Sequence, residues 1–178
     1  MKEVKIFARA GQGAITTAAI LGEALFVEDK YAYAFPHFGA ARMGAPMNAF
    51  LRFDSKPIRL RSKIYDPNYI VVVDPTLIES EKAFEGLPKG TKAIVAVREN
   101  TKLPKIDGVT FYALPAEAIA MEILGAPFAN TVLLGAFAKA TGELKLESVL
   151  KAVSDRFAEK PAILEKNLQA VKRGYESV

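Results

Sequence analysis

The residues whose types and spacing best suit chemistry are Gly11, Gln12 and Gly13, with Arg9 just before them and Thr16 just after. Two glycines one residue apart let backbone approach a ligand closely. If a helix begins there, its free N–H groups and partial positive charge favour an anion such as phosphate or pyrophosphate. Arg9 and Thr16 would add donors. The same pattern also serves a tight turn that needs positive φ, and spacing alone leaves both open. The dinucleotide fingerprint is incomplete: a third glycine would fall at Thr16. The ribose-binding acid, expected about twenty residues on, would fall in Tyr33-Ala34-Phe35-Pro36, which holds none. NAD is therefore disfavoured, and no Gly-Lys-Ser/Thr exists for a Walker loop.

A second group lies between Pro36 and Pro46. Arg42, beside Gly44, is suited to clamp a phosphate or a partner carboxylate. His37 is the only imidazole; without an acid in its segment it reads as a satisfied loop residue rather than a base. Phe38 is a candidate interface aromatic. Asn130 and Thr131 read as the cap of a helix, with ligand contact as the alternative. Arg52, Lys56, Arg59, Arg61 and Lys63 face one acid, Asp54. Such a cluster could meet phosphates, or it is a solvated edge strand whose cations block edge pairing.

These residues need elements to position them. Glu3–Ala8 reads as a strand, Arg9–Gly13 as a turn, and Ala14–Phe26 as a helix with apolar residues at helical spacing. Tyr31–Phe35 reads as a strand whose aromatics share one face, with core packing expected. Met47–Phe53 and Ile58–Ser62 alternate as strands, and Asp54–Pro57 between them reads as a hairpin turn. Tyr69–Val73 is an unbroken apolar run suited to a strand buried on both faces. Asp74-Pro75-Thr76 reads as a turn and helix start. Ala93–Val97 and Val109–Ala113 are further strands. Pro115–Leu124, Thr131–Ala140, Leu146–Phe157 and Pro161–Tyr175 read as helices, with Gly142 closing one and Pro161 opening another. The alternation predicts a three-layer α/β sandwich: a mostly parallel sheet, an added β-hairpin, and one domain over 1–178.

Composition narrows the chemistry. The chain has 178 residues, no Cys, no Trp and one His. It has no disulfide, thiolate zinc site, Cys-held iron–sulfur cluster or Cys nucleophile of its own, so any redox carrier must be borrowed. Net charge is +4, and it is uneven: residues 1–65 hold ten Lys/Arg against five Asp/Glu, residues 66–178 fourteen against fifteen. No Arg-rich or aromatic-basic motif points to nucleic acid. No signal-like apolar run or membrane-spanning stretch is visible, so a cytoplasmic location is expected. Two Gln among many Lys and Glu hint at a thermophilic source.

Arg9-Ala10-Gly11-Gln12-Gly13-Ala14, Ala34-Phe35-Pro36-His37-Phe38-Gly39 and Arg42-Met43-Gly44-Ala45-Pro46 together resemble the gamma subunit of 2-oxoacid:ferredoxin oxidoreductases, the pyruvate enzyme (pyruvate synthase) most closely. Ile58-Arg59, Asp66-Pro67-Asn68-Tyr69, Asp74, Asn130-Thr131 with Leu134-Gly135-Ala136, and Arg173-Gly174-Tyr175-Glu176 fit in the same order. The resemblance implies a Rossmann-like domain working with alpha, beta and delta subunits. Such a complex decarboxylates a 2-oxoacid on thiamine diphosphate with Mg, passes electrons through iron–sulfur clusters to ferredoxin, and captures the acyl group on coenzyme A. Thiamine and clusters would sit in the other subunits. This chain would be inactive alone and would help bind coenzyme A and close the active site. The implied contacts are Arg9, Gly11, Gln12, Gly13, Thr16, His37, Arg42, Gly44 and Asn130. Phe7-Ala8, where the family often has His-Gly, and Ala41, where it often has Glu, are departures. A gamma subunit of the 2-oxoglutarate or branched-chain enzyme, or a free-standing nucleotide-binding protein, are the alternatives.

Overall fold

A computed structural model describes residues 1–37 and 42–178. Six strands form one mixed sheet: β1 (Lys2–Arg9), β2 (Tyr31–His37), β3 (Pro46–Asp54), β4 (Tyr69–Val72), β5 (Lys92–Ala96) and β6 (Thr110–Leu114). Their order is β2-β3-β1-β4-β5-β6. β1, β4, β5 and β6 run parallel, and β2–β3 is a hairpin added antiparallel to β1. The expected α/β architecture, mostly parallel with a hairpin, is what forms.

The layers are unequal. α1 (Ala14–Val27), α3 (Ala116–Leu124), α4 (Ala129–Thr141), α5 (Leu146–Arg156) and α6 (Pro161–Glu176) build the main core with one sheet face. The one-turn α2 (Leu77–Ser80) and connecting segments cover part of the other. Alternation along β4 explains both cores: Tyr69 and Val71 enter the first, Ile70 and Val72 the second. The Val run is thus the central, doubly buried strand it reads as. Among the described residues no helix is long and apolar enough to cross a membrane.

α4 and α6 touch backbone to backbone. A Cβ on Gly135 would lie 1.9 Å from the Val171 carbonyl oxygen, and one on Gly174 would lie 1.9 Å from that of Val132. No other residue fits either place, which is the physical content of these two motif glycines.

Three readings are corrected. Ile58–Ser62 is not a strand and Asp54–Pro57 is not a hairpin turn; the hairpin is β2–β3, closed by the segment after His37. Pro57 lacks a ladder donor, and the carbonyls of Leu60, Ser62 and Lys63 turn inward to the Arg52 guanidinium at 3.5, 2.7 and 3.3 Å. Arg52 itself is not a surface cation: its side chain is 1 % exposed and its Nε donates to Glu3 at 2.6 Å. Residues 55–66 therefore form an irregular strap rather than a solvated edge strand. Finally, Tyr31, Tyr33 and Phe35 do not pack in the core. They lie exposed or half-exposed on the edge strand β2, where Tyr33 stacks on Phe35 at 5.0 Å. Pro36 sits within that strand, as an edge position allows. Phe38 and Ala41 fall outside the described residues.

Candidate functional site

The glycine turn joins the end of β1 to α1. Gly11 and Gly13 have φ of 98° and 81°, so both need the left-handed region that glycine enters freely. The turn closes with Gln12 N–H donating to the Arg9 carbonyl at 3.0 Å. The Gln12 side chain then fixes it at both ends of its amide. Oε1 accepts from the Arg9 N–H at 2.7 Å, and Nε2 donates to Asp74 Oδ2 at 2.7 Å.

Asp74, just beyond β4, is 3 % exposed. Its Oδ1 accepts from the Thr76 N–H at 2.9 Å and the Thr76 hydroxyl at 2.6 Å. Burial pushes its carboxyl up, but donation from Thr76 and Gln12, helped by the Arg98 charge, carries it below the ordinary carboxylate value. Asp74 is thus an ionised anchor between two strand ends.

Arg9 belongs to the same network. Its Nε and a terminal nitrogen donate to Thr76 Oγ1 at 3.2 and 2.8 Å, its other nitrogen to the Gly44 carbonyl at 3.0 Å, and it lies 3.4 Å from Asp74. Two backbone bonds, Ala10 N–H to the Ala45 carbonyl and Gly44 N–H to the Ala10 carbonyl, tie the hairpin end to the turn. Arg9 and Gly44 therefore brace the turn from the hairpin side.

The other side of the turn opens into a cavity of about 550 Å³. Gly11, Gln12, Gly13 and Thr16 form one wall, and Asn130 and Thr131 of the first turn of α4 form another. Ala162, Ile163 and Lys166 come from the first turns of α6, and Arg156 and Phe157 from the end of α5. Phe128 and Leu124 complete it. The N-terminal ends of three helices, α1, α4 and α6, thus meet at one space, each contributing roughly half a positive charge in its first turn. Lys166 and Arg156 add two full charges, and among the described residues no carboxylate lines the cavity. Phe128, Phe157 and Ile163 supply apolar surface. The arrangement suits an anionic ligand with an apolar or aromatic portion. A second groove, of about 620 Å³, runs beside α1 and β2. Alanines line it together with Glu23, Asp155 and the same Arg156, so its two acids outweigh its one cation and it lacks this electrostatic bias.

The structure brings Gly11, Gln12, Gly13, Thr16 and Asn130 together at the cavity. A Cβ on Gly13 would stand 2.8 Å from Asn130 Nδ2, which shows how closely α4 approaches the turn. Arg9 and Gly44 lie behind it. His37 ends β2, 6.1 Å from the Phe50 ring, and Arg42 is exposed near the hairpin end; neither lines the cavity. Asn130 and Thr131 are not caps: α4 starts at Ala129 with no side-chain cap bond. Thr131 instead donates to Asn167 Oδ1 of α6 at 2.9 Å. Sequence reading missed Lys166, Arg156, Phe157 and Phe128 because no local motif surrounds them. Their only shared signal is their place at helix ends.

Over residues 3–177 the chain matches the family model of pyruvate ferredoxin/flavodoxin oxidoreductase. It is 44 % identical over 181 residues to the pyruvate/ketoisovalerate oxidoreductases common subunit gamma of Thermococcus litoralis, covering 99 % of this chain and 96 % of that protein. It is 44 % identical over 179 residues to the pyruvate synthase subunit PorC of Methanocaldococcus jannaschii, covering 100 % and 97 %. The crystal structure of the pyruvate oxidoreductase subunit PORC of Thermotoga maritima superposes with a TM-score of 0.84 at 32 % identity, covering 98 % of this chain and 95 % of that one.

Proposed function

Because the chain belongs to the pyruvate ferredoxin/flavodoxin oxidoreductase family, we propose that it is the gamma subunit of a 2-oxoacid:ferredoxin oxidoreductase and that its glycine-turn cavity binds coenzyme A. The complex converts a 2-oxoacid and coenzyme A to acyl-coenzyme A and carbon dioxide, and two electrons leave to ferredoxin. The Thermococcus litoralis relative is named as common to pyruvate and ketoisovalerate oxidoreductases. A subunit shared by two such enzymes serves what their reactions have in common, and coenzyme A is the common small substrate.

The observation that carries this reading is the convergence of three helix N-termini, Lys166 and Arg156 on one carboxylate-free cavity. Coenzyme A brings several phosphate charges, which such a site favours. Its adenine and pantetheine arm offer matching apolar surface to Phe128, Phe157 and Ile163. With no Cys in the chain, cluster ligands come from companion subunits, as do thiamine diphosphate and Mg. This chain's own part is to bind and orient coenzyme A and to help exclude water as the site closes. In a soluble, cytoplasmic complex its companions are the alpha, beta and delta subunits, and the isolated chain turns over no substrate.

Titration calorimetry of the chain with coenzyme A tests the site. Lys166→Ala and Arg156→Ala are expected to weaken binding at least fivefold each, and in the assembled enzyme to raise KM for coenzyme A more than they lower kcat. Unchanged affinity in both variants would remove the cavity from the reaction.

A further inference from the structure

The strap over residues 55–66 is held by its backbone. Buried Arg52 takes the carbonyls of Leu60, Ser62 and Lys63, and Ile64 is the strap's one fully buried apolar anchor. Carbonyls turned inward leave the side chains turned out. Lys56, Arg59, Arg61 and Lys63 are all exposed. Among the described residues none of the four has a carboxylate within 4.0 Å. Arg61 lies over the Tyr33 ring at 4.1 Å and donates to its own segment's carbonyls of Ile58 and Leu60. Asp66, at the strap's far end, is its only acid. Leu60 and Tyr65 stand out among these cations at 46 % and 78 % exposure.

A guanidinium buried to hold an irregular segment costs desolvation, and the segment it holds contributes little to the core. We propose that the strap is a preformed docking surface for an acidic face of a companion subunit, resting on the multisubunit reading above. Four cations with no carboxylate partner among the described residues call for an anionic one. Exposed Leu60 and Tyr65 call for apolar cover, which a protein surface supplies and a phosphate backbone does not.

The test co-purifies the chain with its companion subunits and measures assembly by sedimentation against salt. The triple variant Lys56→Glu/Arg59→Glu/Lys63→Glu leaves Arg52 and the strap's backbone bonds in place, and thermal unfolding verifies that it folds. Wild-type assembly that weakens with salt, and at least tenfold weaker assembly of the variant, is the expected result. Equal assembly of wild type and variant overturns the docking surface alone. Failure of the wild-type chain to assemble overturns the multisubunit reading and the docking surface with it. A variant that assembles normally but loses affinity for coenzyme A or duplex DNA overturns the proposal in favour of a phosphate-binding strap.

Discussion

The side-chain amide of Gln12 joins the ends of two neighbouring strands, accepting from the Arg9 N–H of β1 and donating to the Asp74 carboxylate beyond β4, both at 2.7 Å. One residue thereby sets both the shape of the glycine turn and its distance from the next strand. Gln12→Leu removes both bonds and leaves Asp74 short of a donor. It is expected to cost about 1–3 kcal/mol, read from denaturant unfolding. Gln12→Glu keeps the shape but faces a carboxylate with a carboxylate, and is expected to be the worse of the two at neutral pH and to improve relative to Gln12→Leu in acid.

Asp74 gives a second pH signature. Its folded pKa is depressed, so its contribution to stability is complete above its unfolded value and is lost only as pH falls through the folded value. The turn is expected to stay intact through the ordinary carboxylate range near pH 4 and to loosen below it. Comparing unfolding free energies of wild type and Asp74→Asn across pH 2–6 checks this. The gap between them is expected to narrow toward pH 2.

Gly13→Ala meets two penalties, positive φ and Asn130 Nδ2 at 2.8 Å. A loss of about 1–2 kcal/mol is expected from the backbone alone, with weakened coenzyme A binding. Adding Asn130→Ala is expected to relieve the collision but not the backbone strain, so thermal unfolding of the double variant falls between Gly13→Ala and wild type.

Gly135→Ala and Gly174→Ala place a methyl 1.9 Å from a carbonyl oxygen on the facing helix. Backbone cannot step aside as a flexible side chain can. Each is expected to cost about 3 kcal/mol or more, visible as a lowered unfolding midpoint, and the pair is expected to be far from additive because either one already parts the helices.

Arg52→Met keeps the stem and removes the guanidinium from Glu3 and three inward carbonyls. About 3 kcal/mol is expected to be lost, with proteolysis appearing first within 55–63.

What sequence made legible was what is local. The Tyr69–Val72 run declares a doubly buried strand because each side chain reports its own face. Gly142 and Pro161 mark helix ends by their own backbone limits. The strap misled because Ile58, Leu60 and Ser62 alternate like a strand, while the group that claims the carbonyls of Leu60, Ser62 and Lys63, Arg52, lies in β3 and looks like one more surface cation. Only the glycine-turn side of the candidate site was legible for the same reason. Gly11, Gln12 and Gly13 form a local turn, whereas Lys166 and Arg156 reach it only through the packing of α5 and α6. The Gln12–Asp74 bond, across 62 positions, has no local trace.

The glycine crossing of α4 and α6 also bears on how the cavity can move. Asn130 and Lys166 stand on adjoining walls, one on each of these helices, and Thr131 is bonded to Asn167 between them. Helices in backbone contact cannot slide or spread without breaking that contact, so the two walls behave as one piece, like the fixed jaw of a vice. The turn between β1 and α1 closes the cavity from the other side, and Gln12, Arg9 and the hairpin end pin it as well, so the cavity is held open before any ligand arrives.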